Sequence, residues 1–350
     1  MTATRASTTA DERLVRVHFA TRLVARPDIG SFLGALAVFG LFAIFAHQAG
    51  WVGWSDAAQW TDQSAQYGIV AVPVALLMIG GEFDLSAGVM VGSSGLLLGL
   101  LGTRAHIEIW PSILLVLLFG AAVGLINGVT VVKTKLPSFI VTLGTFFILQ
   151  GVNAAGTLKI TGTVSIENID STPGFNSAYR WFSSTIWSPY DFKVKVIWWI
   201  GITALGAWVL ARTRFGNWIY SVGGDPVAAR NVGVPVARTK IALFVITSMT
   251  AALLGVIEAL ELRSTQANEG VGREFIFIIA AVVGGCLLTG GYGSVVGTSF
   301  GAAILGMASI GIILAGWDSN WTYAFLGSIL VLAVLMNAAL RSRATRSRSR

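Results

Sequence analysis

Residues 67–102 read YGIVAVPVALLMIGGEFDLSAGVMVGSSGLLLGLLG, and Glu82 and Asp84 are the only charged groups in the run. As one helix rising 1.5 Å per residue, the run would measure about 54 Å. A bilayer hydrocarbon core is about 30 Å thick. The run must therefore cross a membrane twice, and the pair Gly80-Gly81 marks the turn. Its limbs, 67–80 and 85–102, are continuously apolar rather than alternating, which excludes a transmembrane β-barrel. The fold class this predicts is an all-α, polytopic membrane protein.

The rest of the chain has the same character. Of 350 residues, 54% are hydrophobic and 12% charged, about half the charge of an ordinary soluble domain. Mean hydropathy is +0.73. These values exclude a soluble enzyme, a disordered protein and a nucleic-acid-binding domain. The single cysteine, Cys286, excludes a disulfide framework and a Cys-based metal site. About ten apolar runs can be read: 30–46, 67–80, 85–102, 109–132, 136–155, 196–211, 241–260, 275–288, 295–315 and 321–340. The segment 1–29 ahead of the first is polar, and no small-x-small site follows that run, so it does not read as a cleavable signal.

Loop charge sets the orientation. With ten spans threaded in order, 17 of the 24 Lys and Arg residues fall on one side. They include Arg5, Arg13, Arg16, Arg22 and Arg26 in the tail 1–29, and five arginines in the tail 341–350. Lys133, Lys135 and the five basic residues of the loop 212–240 complete the set. Both termini and the loop 212–240 are therefore expected in the cytoplasm, and the loop 156–195 outside. Domain organisation is a permease domain, 30–340, between two basic tails.

Two runs, 67–80 and 275–288, are too short to span. Each runs into a glycine pair, Gly80-Gly81 or Gly284-Gly285, and each is followed by a small-residue patch, Gly92-Ser93-Ser94 or Gly297-Thr298-Ser299. Broken helices in comparable places point to a transport pathway; close packing of helices is the plainer use of such glycines. The pattern is either a faint internal repeat or shared composition.

No catalytic constellation is present. The histidines, His18, His47 and His106, are too dispersed for a metal cluster, and no phosphate-cradling G-x-x-x-x-G-K-[ST] occurs. Energy from a nucleotide must come through a partner. Glu82 and Asp84 are costly near a membrane interior and stand as functional candidates. Capping of the following helix by Asp84 is the alternative use. In the loop 212–240, Asp225 reads as an N-cap, Pro226 as the first helical residue and Gly233 as the C-terminal cap, with Pro235 preventing continuation. Two turns do not hold themselves together in water, so this helix should dock on something. Ala228 and Ala229 permit close contact, and Arg230 can pair with an acid. The loop 156–195, rich in Ser, Thr, Asn and aromatics, is long enough to be functional.

The run 80–88, GGEFDLSAG, resembles the signature of permease subunits of bacterial ABC importers for ribose, fructose, xylose and related simple sugars. Three further segments match that family in order: 124–151 (GLINGVTVVKTKLPSFIVTLGTFFILQG), 220–240 (YSVGGDPVAARNVGVPVARTK) and 272–306 (GREFIFIIAAVVGGCLLTGGYGSVVGTSFGAAILG). The resemblance covers most of residues 65–340 and is specific to the family, not to one sugar. It implies a homodimeric permease in the bacterial inner membrane, surrounded by lipid. A cytoplasmic ATPase would bind ATP and magnesium, an extracytoplasmic binding protein would deliver substrate, and the permease itself would carry no cofactor. It also implies that Gly224, Asp225, Pro226, Ala228, Ala229, Arg230 and Gly233 form the coupling helix against the ATPase. Candidate lining groups for the pathway are Glu82, Asp84, Ser86, Asn127, Thr142 and Gln150. Ser138 and Gln150 stand where relatives often have proline and arginine, and the loop 156–195 is long.

Three rivals remain at this level: the related branched-chain amino-acid importer permease, an ion-coupled secondary transporter, and an intramembrane enzyme. The motif 80–88 argues for sugars, and the absence of a nucleophile–base pair argues against the enzyme. The charge distribution makes a direct prediction. Topology reporters fused after Arg26 and after Arg350 report the cytoplasm, and one near Asn176 reports the outside; a terminus found outside would require a different number of spans.

Overall fold

The computed structural model describes residues 27–346, with side chains described for 28–335; the remainder of both basic tails lies outside the described residues. The helices, in order, are α1 (Pro27–Phe45), α2 (Trp54–Ile79), α3 (Ala87–Thr103), α4 (Ile109–Thr134), α5 (Ser138–Thr161), α6 (Phe175–Phe182), α7 (Lys195–Arg212), α8 (Arg214–Gly224), α9 (Pro226–Asn231), α10 (Val236–Leu262), α11 (Arg273–Val283), α12 (Val295–Leu314) and α13 (Trp321–Arg346). Among the described residues, strands are confined to two short antiparallel pairs. β1 (Ser165–Ile166) pairs with β4 (Thr265–Gln266), and β2 (Thr185–Trp187) pairs with β3 (Phe192–Lys193). Seven of the described helices are long and apolar enough to cross a membrane; α3, α11 and α13 occupy the other three apolar runs. The chain is an all-α polytopic membrane protein.

Two elements differ from the hydropathy reading. The run 67–80 is the inner half of the 26-residue α2, not a short span. The outer half of α2 carries Asp62, Gln63 and Gln66, which depress its hydropathy yet are held by partners inside the protein. The run 275–288, by contrast, is short: α11 ends at Val283 after 11 residues. The expected outer loop is also more ordered than a loop. α5 continues to Thr161, and α6 and the β2–β3 hairpin fill most of the rest. Ile169, Phe175, Ala178 and Phe182 are buried there. The Ser183 hydroxyl donates to the Ile257 carbonyl at 2.8 Å, and Phe182 stacks on Trp198 at 5.3 Å.

α2 is the centre of the bundle, packed by α12, α7, α10 and α11. α10 forms a second axis, packed by α4 and α3. Lipid is as apolar as leucine, so helices in a bilayer associate by close packing rather than by escape from water. Small residues supply it. Gly120, Gly124 and Gly128, one turn apart on α4, lie flat against α10: a Cβ on Gly124 would sit 2.5 Å from the Phe244 carbonyl oxygen, and one on Gly128 would sit 2.9 Å from Cα of Ile241. On α12, Gly297 and Gly301 rest on the α11 backbone, where an added Cβ would lie 2.1 Å from the carbonyl oxygens of Gly284 and Ala280 respectively.

Both broken helices end in the same way. At the end of α2, Gly81 adopts φ +83; its N–H reaches the Met78 carbonyl at 2.9 Å, and the Glu82 N–H reaches Leu77 at 3.1 Å. At the end of α11, Gly285 adopts φ +91; its N–H reaches Val282 at 2.9 Å, and the Cys286 N–H reaches Ala281 at 3.0 Å. Each is a Schellman motif, whose left-handed residue favours glycine. The repeated glycine pairs thus mark two geometrically equivalent helix ends.

Replacing Gly124 by Leu should force α4 off α10 and destabilise the bundle by about 1–3 kcal/mol or more, read as a lower unfolding temperature in detergent. Gly40→Leu, at a position with nothing within 4 Å, should leave that temperature within experimental error.

Candidate functional site

Breaking a helix at membrane depth frees backbone amides that lipid cannot satisfy. Residues 80–86 form the break between α2 and α3, and their partners come from three other helices. The Phe83 amide donates to the Ser138 hydroxyl at 3.0 Å, and the Leu85 amide donates to the Thr142 hydroxyl at 3.0 Å. Both hydroxyls belong to α5. Asp84 Oδ1 accepts from the Ser86 amide at 2.9 Å and from the Ser86 hydroxyl at 2.5 Å, and Oδ2 accepts from the Ser248 hydroxyl of α10 at 3.4 Å. Asn127 of α4 donates from Nδ2 to the Ser86 hydroxyl oxygen at 3.0 Å and accepts at Oδ1 from Thr145 at 2.6 Å. Glu82 is ion-paired with Lys240 of α10.

Of the pathway candidates, Asp84, Ser86 and Asn127 share one hydrogen-bond network, Thr142 and Glu82 hold the same break through separate partners, and all five are buried. Gln150 lies eight residues, about 12 Å, further along α5 than Thr142 and joins none of these bonds. The network sits deep. Ser248 is twelve residues into α10, about 18 Å along a helix of about 40 Å. Asp84 is thus held near the middle of α10 by hydroxyls, by a local amide and by its position ahead of the α3 N-terminus, where a helix favours negative charge.

The start of α11, the helix that ends at the second break, lies beside the first break. α11 begins next to the start of α3: a Cβ on Gly88 would sit 2.0 Å from Glu274 Oε2 and 2.7 Å from the Glu274 amide nitrogen. Glu274 is buried in the first turn of α11, and its Oε2 accepts from the Gly272 amide at 3.0 Å. Two half-helix N-termini thus meet inside the bundle, each with a carboxylate of its own chain beside it. Further out, Arg273 contacts both carboxylate oxygens of Glu258 at 2.6 and 2.7 Å, and Gln66 of α2 donates to the same carboxylate. Lys195 of α7, itself buried, bridges Asp62 and Glu261 at 2.8 Å each.

The short helix α9 is capped as its punctuation predicts. The Val227 and Ala228 amides donate to Asp225 Oδ1 at 2.9 and 3.0 Å, Pro226 opens the helix, and Gly233 turns with φ +85. Gly224, Ala228 and Arg230 are exposed. Ala229 is placed differently from the expectation that it faces a partner. It is the one buried residue of α9 and packs with Val222 and Val236 of its own chain. The outward apolar groups are Val227, 71% exposed, and Val232, 79% exposed.

Sequence reasoning missed Ser138, Thr145, Ser248 and Lys240 as partners of the first break, and Gln66, Glu258, Arg273 and Glu274 around the start of α11. Polar residues inside otherwise apolar runs, such as Ser248 and Glu258, are the signal that could have found them. Among the described residues, no group of three or more His, Cys, Asp or Glu side chains could hold a metal ion.

Comparison with known proteins places this geometry. The family model described as "Branched-chain amino acid transport system / permease component" matches residues 57–334. The chain is 34% identical to the ribose import permease protein RbsC of Escherichia coli K12, over 79% of this chain and 83% of the relative. It is 32% identical to the galactose/methyl galactoside import permease protein MglC of Haemophilus influenzae, over 79% and 84%. It is also 32% identical to the fructose import permease protein FrcC of Rhizobium meliloti, over 80% and 76%. No solved structure matches the chain at a significant level. With broken helices stitched inside a polytopic bundle and a match spanning most of its length, the chain belongs to the family of multi-pass inner-membrane permease components of transport systems, which are transport subunits and not enzymes.

Proposed function

We propose that this chain is the permease of an ATP-driven importer for a simple sugar or sugar-like polyol. It works as a homodimer, with ATP and magnesium held by a separate cytoplasmic ATPase and substrate delivered by an extracytoplasmic binding protein. The observation that carries the reading is α9. Its ends are capped by Asp225 and Gly233, its inner face is locked by Ala229 against Val222 and Val236, and it turns Val227 and Val232 away from its own chain. On the basic side of the sequence, expected to be cytoplasmic, two exposed valines, one on α9 and one at its C-cap, form a docking knob for a groove on another protein.

The sugar class is supported by the relatives at 32–34% identity, which are named for ribose, galactose and fructose. Their sugars differ while their likeness to this chain does not, so identity leaves the particular substrate open. The family description names branched-chain amino acids, but the full-length relatives and the motif at 80–88 favour sugars. In this reading Glu82, Asp84, Ser86, Asn127 and Thr142 form the core of the moving helix break beside the pathway, and Gln150 lines it further along α5.

The test is reconstitution of permease, ATPase and binding protein in liposomes. The double variant Val227→Asp, Val232→Asp should insert and dimerise normally, yet lose substrate-stimulated ATP hydrolysis and sugar uptake by about 10- to 100-fold, as removal of a buried anchor does. Ala229→Asp should instead disturb the packing of α9 on its own chain and lower the yield of folded permease. Wild-type uptake by the double variant, or uptake with no ATPase present, would overturn the reading.

A further inference from the structure

Three glycine pairs distant in sequence meet at the cytoplasmic ends of the two broken helices. We infer that Gly80-Gly81, Gly223-Gly224 and Gly290-Gly291 form one backbone joint, through which α9 positions both breaks so that they move together. The inference rests on the reading of α9 as the ATPase contact and adds where its movement goes.

The joint is built of main chain. The Gly291 amide donates to the Ile79 carbonyl at 2.8 Å, linking the segment after α11 to the last residue of α2. Gly223, at the end of α8, wedges between them. A Cβ there would lie 1.7 Å from the Ile79 oxygen and 2.7 Å from the Gly291 nitrogen. A Cβ on Gly290 would lie 2.8 Å from both the Gly223 oxygen and Cα of Gly81, and one on Gly291 would lie 2.9 Å from Cα of Gly224. Beside them the Tyr220 hydroxyl of α8 donates to the Gly293 carbonyl at 3.0 Å.

The path from α9 to this contact is short and stiff. Asp225 is both the C-cap of α8, its amide bonded to the Ser221 carbonyl, and the N-cap of α9. Ala229 packs α9 onto Val222, the neighbour of Gly223. A displacement of α9 therefore reaches Gly223 within two residues. Long side chains at an interface absorb sub-ångström shifts by changing rotamer; main chain against main chain has no such slack, and close-packed contacts pass a shift on. Gly223 touches both breaks, so one push moves the end of α2 and the segment after α11 as a unit. Gly223, Gly290 and Gly291 are positioning residues in this scheme, and none needs to touch substrate.

The test uses the complete transporter in lipid nanodiscs, with Cys286 replaced by Ser and spin labels at exposed sites. One pair joins Asn231, exposed at the end of α9, to Leu288 in the segment after α11; the other joins Asn231 to Ile126 on α4. A non-hydrolysable ATP analogue should change the Asn231–Ile126 distance by several ångströms while the Asn231–Leu288 distance stays constant. If both distances change alike, the joint is refuted and the coupling role of α9 survives. If neither changes, the coupling role fails and the joint with it. A second arm measures ATP hydrolysed per sugar imported. Gly223→Ala should raise that ratio about tenfold or more, equivalent to at least about 1.4 kcal/mol of lost coupling. Gly201→Ala, on a face with nothing within 4 Å, should not change it. A wild-type ratio for Gly223→Ala overturns the proposal, and if that variant fails to insert, the distances decide.

Discussion

Everything in this bundle depends on satisfying backbone amides where a helix stops inside the membrane. An unpaired amide in hydrocarbon costs several kcal/mol, whereas a hydrogen bond that merely replaces one to water contributes about 1 kcal/mol. The avoided penalty decides the structure. It places Ser138 and Thr142 against the Phe83 and Leu85 amides, which docks α5 on the break, and it brings Asn127 of α4 and Ser248 of α10 onto the Ser86–Asp84 pair. One discontinuity between α2 and α3 thereby recruits three helices. Charge follows the same logic. Lys240 is committed to Glu82, so Asp84 is stabilised by hydroxyls and a helix terminus rather than by a cation.

The 41 glycines are the second half of the same solution. In lipid no hydrophobic force drives helix onto helix, so affinity must come from close approach and from polar contacts. α4 meets α10 through Gly120, Gly124 and Gly128, and α12 meets α11 through Gly297 and Gly301. Surfaces made this way fit closely in one arrangement, and a shift must carry a whole element with it. That property suits a permease, whose work is transport across a membrane.

Much of this was legible in the residues. The apolar runs located the helices, the glycine pairs located the breaks, and the punctuation of 225–235 described α9 to the cap. What was not legible is instructive. The outer half of α2 reads as polar because Asp62, Gln63 and Gln66 lie on it, and their partners Lys195 and Glu258 are far away in sequence. The Glu82–Lys240 pair spans 158 positions, so hydropathy registers only two unrelated charges. Ala229 shows another limit: a helix of six residues is too short for a periodicity that would say which side faces inward. Gln150, chosen for being polar on an apolar helix, lies beyond the reach of the group that Asp84 organises.

The polar contacts of α2 complete the picture. At its outer half it is tied to α10 through Gln66 and Glu258, and through Asp62 and Lys195 to Glu261. At its inner end the break that follows it is tied to the same helix through Glu82 and Lys240. Packing alone would let two apolar helices slide or turn against each other at little cost, because lipid offers equivalent contacts everywhere. Partly buried ion pairs remove that freedom, since losing one partner leaves the other charged in a poor solvent, at about 3–5 kcal/mol. They fix the register of α2 against α10 at both ends. α10 starts five residues beyond α9, and Ala229 packs on its first residue, Val236. The short helix α9 is therefore connected to the central axis twice, by main-chain contact at the glycine pairs and through the helix that the ion pairs hold in place.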